Sequence, residues 1–383
     1  MHTAKRTHSF TESVIRSMTR LANQYDAINL AQGFPNFSAP EVIKEAAVKA
    51  IRDDINQYAI TWGSKRLRNA LASKYLDWYG IDVDPEAHIT VTCGGTEAMA
   101  SVMLSIVDPG DEVVIFEPFY ENYGPDAILC EAKPVYVPMS PTEEIDLDRL
   151  ASAFNDRTRA IIVNTPNNPT GRVLSRGELE AIAELCQKHD AYAVTDEIYE
   201  HIFYEGEHIP IATLDGMRDR TITTGGASKT FSVTGWRIGT IIAPAQVSGA
   251  IRKVHDFLTV GAPAPLQEGI AAGLEEMERD YYYRLADEYR ERRELMMAGL
   301  AAAGFKCEPP AGAYYVMADI SDISDKGDVA FAEWLTAEIG VATVPGSSFF
   351  SNAKDGSKFV RFAFCKTLDL LEEAGGRLAQ LES

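Results

Sequence analysis

The sequence has 383 residues, 46% of them hydrophobic, and a formal net charge of −20 at pH 7; a chain of this length buries a large core and makes two domains or one large α/β unit. That charge, with no Lys/Arg run, argues against a nucleic-acid binder, which needs a basic face to release counterions. Five scattered cysteines without a Cys-x-x-Cys or clustered histidines give no zinc site and suit a reducing compartment; no apolar run nears the roughly 20 residues of a spanning helix and Met1 to Thr11 has no apolar core behind it, so a soluble cytoplasmic protein with no membrane partner is expected.

Weak alternation through Val14 to Met18 predicts a short helix after an N-terminal arm. Asn29 to Phe37 reads as a short strand breaking into a Gly/Pro loop, where the bare backbone at Gly33 can approach a ligand; an ordinary turn explains this segment equally well. An amphipathic helix from about Pro40 to Asp53 leads to the loop Asn56-Gln57-Tyr58 and a second helix, Leu67 to Tyr79. Ile89-Thr90-Val91-Thr92 reads as a buried strand that Cys93-Gly94-Gly95-Thr96-Glu97 turns into a helix. Free N–H groups and a hydroxyl at a helix N-terminus form an anion cup, which makes Gly95 and Thr96 candidate phosphate ligands. The G-x-G-x-x-G dinucleotide spacing is absent.

Glu112 to Phe116 is a further strand, and Tyr120 just beyond it either stacks on a flat ring or packs in the core. Pro134 to Val137 and Ala160 to Val163 continue a strand and helix alternation that predicts a mostly parallel sheet with helices on both faces. Asn164-Thr165-Pro166-Asn167-Asn168-Pro169-Thr170-Gly171 makes a rigid loop bearing amide donors, so Asn168 can donate to a phenolate oxygen. A helix from Glu178 to His189 leads to a strand ending at Asp196, a carboxylate that either caps a helix or meets a cationic ring nitrogen, with Tyr199 three residues on.

Thr221 to Thr224 reads as a strand ending in glycines, with Lys229 following in a small-residue turn and Arg237 eight residues later. A turn and return of the backbone aims an amine and a permanent cation at one small molecule, as an aldehyde cofactor carrying a phosphate requires; in isolation the pair reads as a surface Lys and a salt-bridged Arg. Gly261 to Leu266 reads as an irregular connector before a long helical region, about Gln267 to Ala303, whose charged stripe is a solvated face. Lys358 to Phe364 alternates like a strand carrying Arg361, which is either an edge-strand surface residue or a planar fork for a carboxylate.

Ser228-Lys229-Thr230-Phe231 with Gly235-Trp236-Arg237-Ile238-Gly239 resembles the lysine segment of the class I/II aminotransferases, pyridoxal-phosphate enzymes of fold type I. Segments between Asn29 and Thr367 match that family in the same order, and the chain is most similar to its kynurenine, glutamine and methionine branch. The resemblance implies an α/β fold, with a large domain over 40–273 built on a mostly parallel sheet with helices on both faces. A smaller α+β domain is implied over 274–383, joined by an arm at 1–39. It implies Lys229 as nucleophile and general base, Asp196 on the pyridine nitrogen, and Asn168 and Tyr199 on the phenolate oxygen. Tyr120 stacks on the ring, Gly95, Thr96, Ser228 and Arg237 hold the phosphate, and Tyr58 reaches the phosphate of the other subunit of a homodimer. Gly33, Asn168 and Arg361 receive the substrate, and no metal is implied.

The implied reaction is ping-pong transamination from a neutral L-amino acid to a 2-oxo acid. Its alternatives are β-elimination from cysteine conjugates on the same cofactor and a non-enzymatic regulatory domain. The latter follows a basic winged-helix domain in known cases, whereas the match here begins near Asn29. Where kynurenine-type relatives wall the side-chain pocket with aromatic and histidine rings, ungapped comparison places Ile15, Val260 and Gly261. Aliphatic walls without a second Arg favour methionine, glutamine or leucine over aspartate, with Tyr123 or Tyr314 available to recover aromatic binding.

Overall fold

A computed structural model describes residues 2–382. The first long helix, Val14–Tyr25, extends well past the predicted stretch because Ile15, Met18 and Ala22 give it a continuous buried face, and the Ser13 side chain caps it by accepting from the Arg16 N–H. It leads into β1 (Ile28–Asn29). The helices Glu41–Arg52 and Lys65–Tyr79 follow, within two residues of their expected bounds.

Seven strands form the main sheet: β2 (Ile89–Thr92), β3 (Glu112–Glu117), β4 (Lys133–Pro138), β5 (Thr158–Asn164), β6 (Tyr192–Asp196), β7 (Thr221–Gly226) and β8 (Gly239–Ile242), in the order β2-β8-β7-β6-β5-β3-β4. All neighbouring pairs from β7 through β4 are parallel, while β8 is antiparallel to both β2 and β7. No α-helix interrupts the connection from β7 to β8, so the chain returns antiparallel instead of crossing over. Strand period sorts the core into two layers. Val113, Ile115, Ile162 and Val194 face Met99 and Val102 of the Gly95–Ile106 helix. Val114, Phe116, Ile161 and Val163 face Leu179, Ile182 and Cys186 of the Arg176–Lys188 helix, which starts at a Ser175/Glu178 capping box. The parallel strands therefore read as continuous apolar runs, and their C-terminal ends, at Asn164, Asp196 and Gly226, open on one edge.

The remaining strands are β9 (Tyr315–Asp319), β10 (Val341–Ala342), β11 (Val344–Pro345) and β12 (Phe359–Ala363). β1 pairs in parallel with β10, and a separate sheet runs β11-β12-β9. A core of Ile15, Met18 and Leu30 with Tyr289, Leu300, Val316, Phe362 and Leu378 joins the first residues to the last third, and Tyr199, Ile202 and Tyr204 reach into it from the main-sheet segment.

Two expectations change. β12 is the central strand of its sheet, so Arg361 is 1% exposed and the edge-strand surface alternative falls. The irregular connector ends at Pro263: a helix, Ala264–Glu276, starts there with Pro265 in its first turn, where a missing N–H costs nothing, and the long helical region breaks before Arg279–Ala302. Among the described residues no helix is long and apolar enough to cross a membrane.

Phe362 is fully buried on β12, edge-to-face with Phe305 at 5.5 Å between centroids. Phe362→Ala should cost about 3–5 kcal/mol in urea unfolding; a loss under about 1 kcal/mol would show that the second sheet does not depend on this ring.

Candidate active site

Beyond β7 the chain makes one tight turn, with the Phe231 N–H bonded to Ala227 O and the Val233 N–H to Ser228 O, each at 3.0 Å. This turn buries Ser228 and projects Lys229 toward the loop after β1. Lys229 Nζ donates to Gly33 O at 2.9 Å, and the Tyr314 hydroxyl donates to the same carbonyl at 3.0 Å. Loss of hydration pushes the Lys229 amine down to about 8, against the partial opposition of Cys365 and Asp196; Arg361 and Arg237 push the same way as burial.

Asp196 ends β6 beside Asn164, its register partner on β5. Its Oδ2 accepts from the Tyr123 hydroxyl at 2.7 Å, and its Oδ1 accepts from the Ile198 N–H at 3.3 Å. No α-helix begins there, so the helix-cap alternative falls. Burial raises the Asp196 carboxyl above its ordinary range, with the Tyr123 hydrogen bond opposing. Asn164 ties the two halves of the site together: its Nδ2 donates to Asp196 O and its Oδ1 accepts from the Asn168 N–H, both at 2.8 Å.

Arg361 Nη1 donates to Asn168 Oδ1 at 2.8 Å and Nη2 to Ala31 O at 2.7 Å. The guanidinium lies 4.3 Å from the Tyr315 ring and 4.8 Å from that of Phe349, and its buried Nε has no partner among the described residues. Tyr315 also shares a 3.0 Å hydrogen bond with the Tyr199 hydroxyl. Tyr120 is partly buried, edge-to-face with Tyr123 at 5.7 Å.

At the other end, the Gly95–Ile106 helix starts with no side-chain cap, and Thr96 is exposed at its first turn. Arg237 reaches this start, its Nη2 donating to Cys93 O at 3.4 Å and its Nη1 to Thr234 O at 3.1 Å. Gly94 has φ 86°, and a Cβ there would lie 2.3 Å from Arg237 Nη2, so only glycine leaves room for the guanidinium beside the free N–H groups. Tyr58 stands apart from all of these at 86% exposure. The links through Asn164, Tyr315 and the Tyr123 hydroxyl on Asp196 are additions to the sequence reading. Asn164 was recoverable from parallel register, but nothing in the sequence ties Tyr123 to Asp196.

Residues 25–378 match the family model for aminotransferase class I and II. The chain belongs to this family. It is 38% identical to the probable N-succinyldiaminopimelate aminotransferase DapC of Mycobacterium tuberculosis, over 99% of this chain and 98% of that protein. It is 37% identical to the kynurenine–oxoglutarate transaminase of Dictyostelium discoideum, over 99% and 96%. With the methionine aminotransferase of Escherichia coli it shares 35%, over 96% of each. The solved N-succinyldiaminopimelate aminotransferase of M. tuberculosis superposes with TM-score 0.96 at 39% identity, covering 99% of this chain and 100% of that one. Aspartate aminotransferase from Thermus thermophilus with maleate gives 0.92 at 35%, covering 100% of both. The aminotransferase is thus a fold type I transferase that depends on pyridoxal phosphate.

The residues fit that cofactor. Burial holds the Asp196 carboxyl above its ordinary range although the Lys229 charge opposes it, and among the described residues no cation bonds to it directly, a place that a protonated pyridine nitrogen would fill. The uncapped helix start beside Arg237 offers N–H groups and a fork for a phosphate.

With the Lys229 amine at about 8 instead of the ordinary 10.5, much of it is the neutral amine near pH 8, the form that attacks an aldehyde. The rate at which cofactor-free enzyme takes up pyridoxal phosphate, followed by visible absorbance, should therefore rise with pH to a plateau with a midpoint near 8. Asp196→Asn removes a charge that favours the protonated amine and should move the midpoint down. A midpoint at the ordinary 10.5 would show that the cavity does not perturb Lys229.

Proposed function

We propose that this aminotransferase takes neutral L-amino acids as donors and works as a cytoplasmic homodimer with shared sites. Pyridoxal phosphate supplies an aldehyde and a ring that withdraws electrons from the substrate's α-carbon. In this reading Gly95, Thr96, Ser228 and Arg237 would hold its phosphate, Asp196 would keep its nitrogen protonated, Asn168 and Tyr199 would bind its ring oxygen, and Tyr120 would supply an aromatic surface for the ring. Arg361 receives the α-carboxylate; its buried unpaired Nε and its two aromatic neighbours give a dry, rigid fork. Lys229 would move the proton at Cα, and the burial that holds its amine down at about 8 favours the free-base form such a role needs. The large domain is taken as 40–273 and the small one as 274–383 with the 1–39 arm, supported by the shared core of Ile15 and Leu30 with Phe362 and Leu378.

The neutral preference is carried by the side-chain wall. Ile15 is buried in an apolar cluster against which Tyr120 packs, and Val260 and Gly261 add aliphatic and backbone surface. With Val260, 47% exposed in the single chain, covered by the partner, a second carboxylate against these groups would be buried unpaired, a cost of several kcal/mol. Methionine, named for the E. coli relative, fits such a wall. Steady-state kcat/KM across methionine, phenylalanine, kynurenine, aspartate and N-succinyldiaminopimelate should be led by methionine; a lead for either acidic side chain overturns the neutral wall, and a lead for kynurenine overturns the placement of Ile15, Val260 and Gly261.

Shared sites are supported by one face. Tyr58 at 86%, Ile60 at 47%, Phe257 at 93%, Leu258 at 49% and Val260 at 47% exposure lie on two adjoining segments. These are joined where the Thr61 hydroxyl donates to Asp256 at 3.1 Å and His255 meets Thr61 O at 2.9 Å. Large apolar side chains so exposed mark a surface that a partner covers, and two-fold closure is the commonest way to cover it. Val260 and Gly261 then wall the site that the partner completes. Mixing inactive Tyr58→Ala and Lys229→Ala enzymes should restore activity through hybrid dimers, because one of the two composite sites is then intact; a fully active monomer in sedimentation overturns the idea.

A further inference from the structure

Every carbonyl from Ala31 to Phe34 is held by a donor from a distant segment. Arg361 holds Ala31 O, while Lys229 and Tyr314 hold Gly33 O. The two carbonyls flanking Gly33 share a single ammonium: Lys366 Nζ donates to Gln32 O at 3.3 Å and to Phe34 O at 2.8 Å. Lys366 lies just beyond β12, is 2% exposed, and carries its charge 3.9 Å from the centre of the Phe34 ring. Among the described residues no carboxylate pairs with it, so two carbonyls and one aromatic face replace its hydration.

Peptide planarity turns this clamp into a direction. The Gln32-Gly33 bond is trans, and in a trans peptide the carbonyl and the following N–H point opposite ways. Gln32 O accepts from the Phe34 N–H at 2.9 Å as well as from Lys366, whose second bond to Phe34 O closes the same small turn; with that carbonyl held on this side, the Gly33 N–H faces away from it and has no protein partner among the described residues. Gly33 itself is required, since a Cβ would fall 2.0 Å from the Tyr315 hydroxyl oxygen. Arg361 anchors the same loop two residues earlier.

We propose that Lys366 is a positioning residue of the carboxylate site: it orients the Gln32-Gly33 peptide so that the Gly33 N–H, beside Arg361, donates to the substrate α-carboxylate. This rests on the reading of Gly33 and Arg361 as that site. Lys366 touches neither substrate nor cofactor and acts through the loop.

The test uses holoenzyme carrying Lys366→Met, which removes the donor and the charge, and Lys366→Gln, which keeps one donor. Each is assayed with an L-amino acid and, in the amino-transfer half-reaction, with the corresponding amine that lacks a carboxylate. Lys366→Met should raise KM for the amino acid about tenfold or more, from the loss of one charge-assisted bond, leave kcat within about threefold, and leave the reaction with the amine unchanged. Lys366→Gln should fall between, and it carries the test if Lys366→Met yields no soluble holoenzyme. An unchanged KM, or an equal loss with the amine, overturns the proposal. Arg361→Lys separates the two readings. If it too shifts the ratio of amino acid to amine while Lys366→Met does not, only the role of Lys366 fails. If Arg361→Lys leaves the ratio unaltered, the carboxylate-site reading fails and takes the proposal with it.

Discussion

Arg361 is a permanent cation at 1% exposure, and much of the site exists to satisfy it. A guanidinium removed from water needs acceptors and polarisable faces in fixed positions. These come from the first residues at Ala31, from the loop after β5 at Asn168, from Tyr315 on the neighbouring strand, and from Phe349. Segments more than three hundred residues apart in sequence thereby meet at one side chain. Removing any acceptor would leave buried charge uncompensated, which costs more than the contact itself returns.

The same logic explains how a chain with a net charge of −20 keeps a cationic cleft. Lys229, Arg237, Arg361 and Lys366 all point at the cleft or at the loops that wall it, held mainly by backbone carbonyls and not by carboxylates. Carbonyl dipoles stabilise a cation without cancelling it, so the positive potential survives for an anionic cofactor and a carboxylate substrate. A cleft lined by ion pairs would have spent that potential internally.

What the sequence discloses follows from how local each cause is. β2 was legible to its ends because four β-branched residues run into the turn at Gly94 and Gly95, and the middles of β3 and β5 because strands buried on both faces leave unbroken apolar runs, while their polar ends, Glu117 and Thr158 to Arg159, were not. The lysine turn and the Asn-Pro loop stood out because their chemistry is written in adjacent residues. The start of the Ala264–Glu276 helix was hidden by prolines that a first helical turn tolerates. The central place of β12 was hidden because strand order is a tertiary property. Tyr123 on Asp196 joins residues 73 positions apart, and only the packed fold brings them together.

The antiparallel strand β8 has a further consequence, for the order of events during folding. Gly239 is the register partner of Thr92 on one side and of Gly226 on the other, so this single residue fastens the helix start at Gly95 to the turn carrying Lys229 and Arg237. Pairings between such distant segments are slow to form, because chain entropy is lost before any contact repays it. Because β2 pairs with no other strand of the main sheet, the helix start at Gly95 and the turn carrying Lys229 and Arg237 can meet only once β8 has added to β7 and β2 has added to β8.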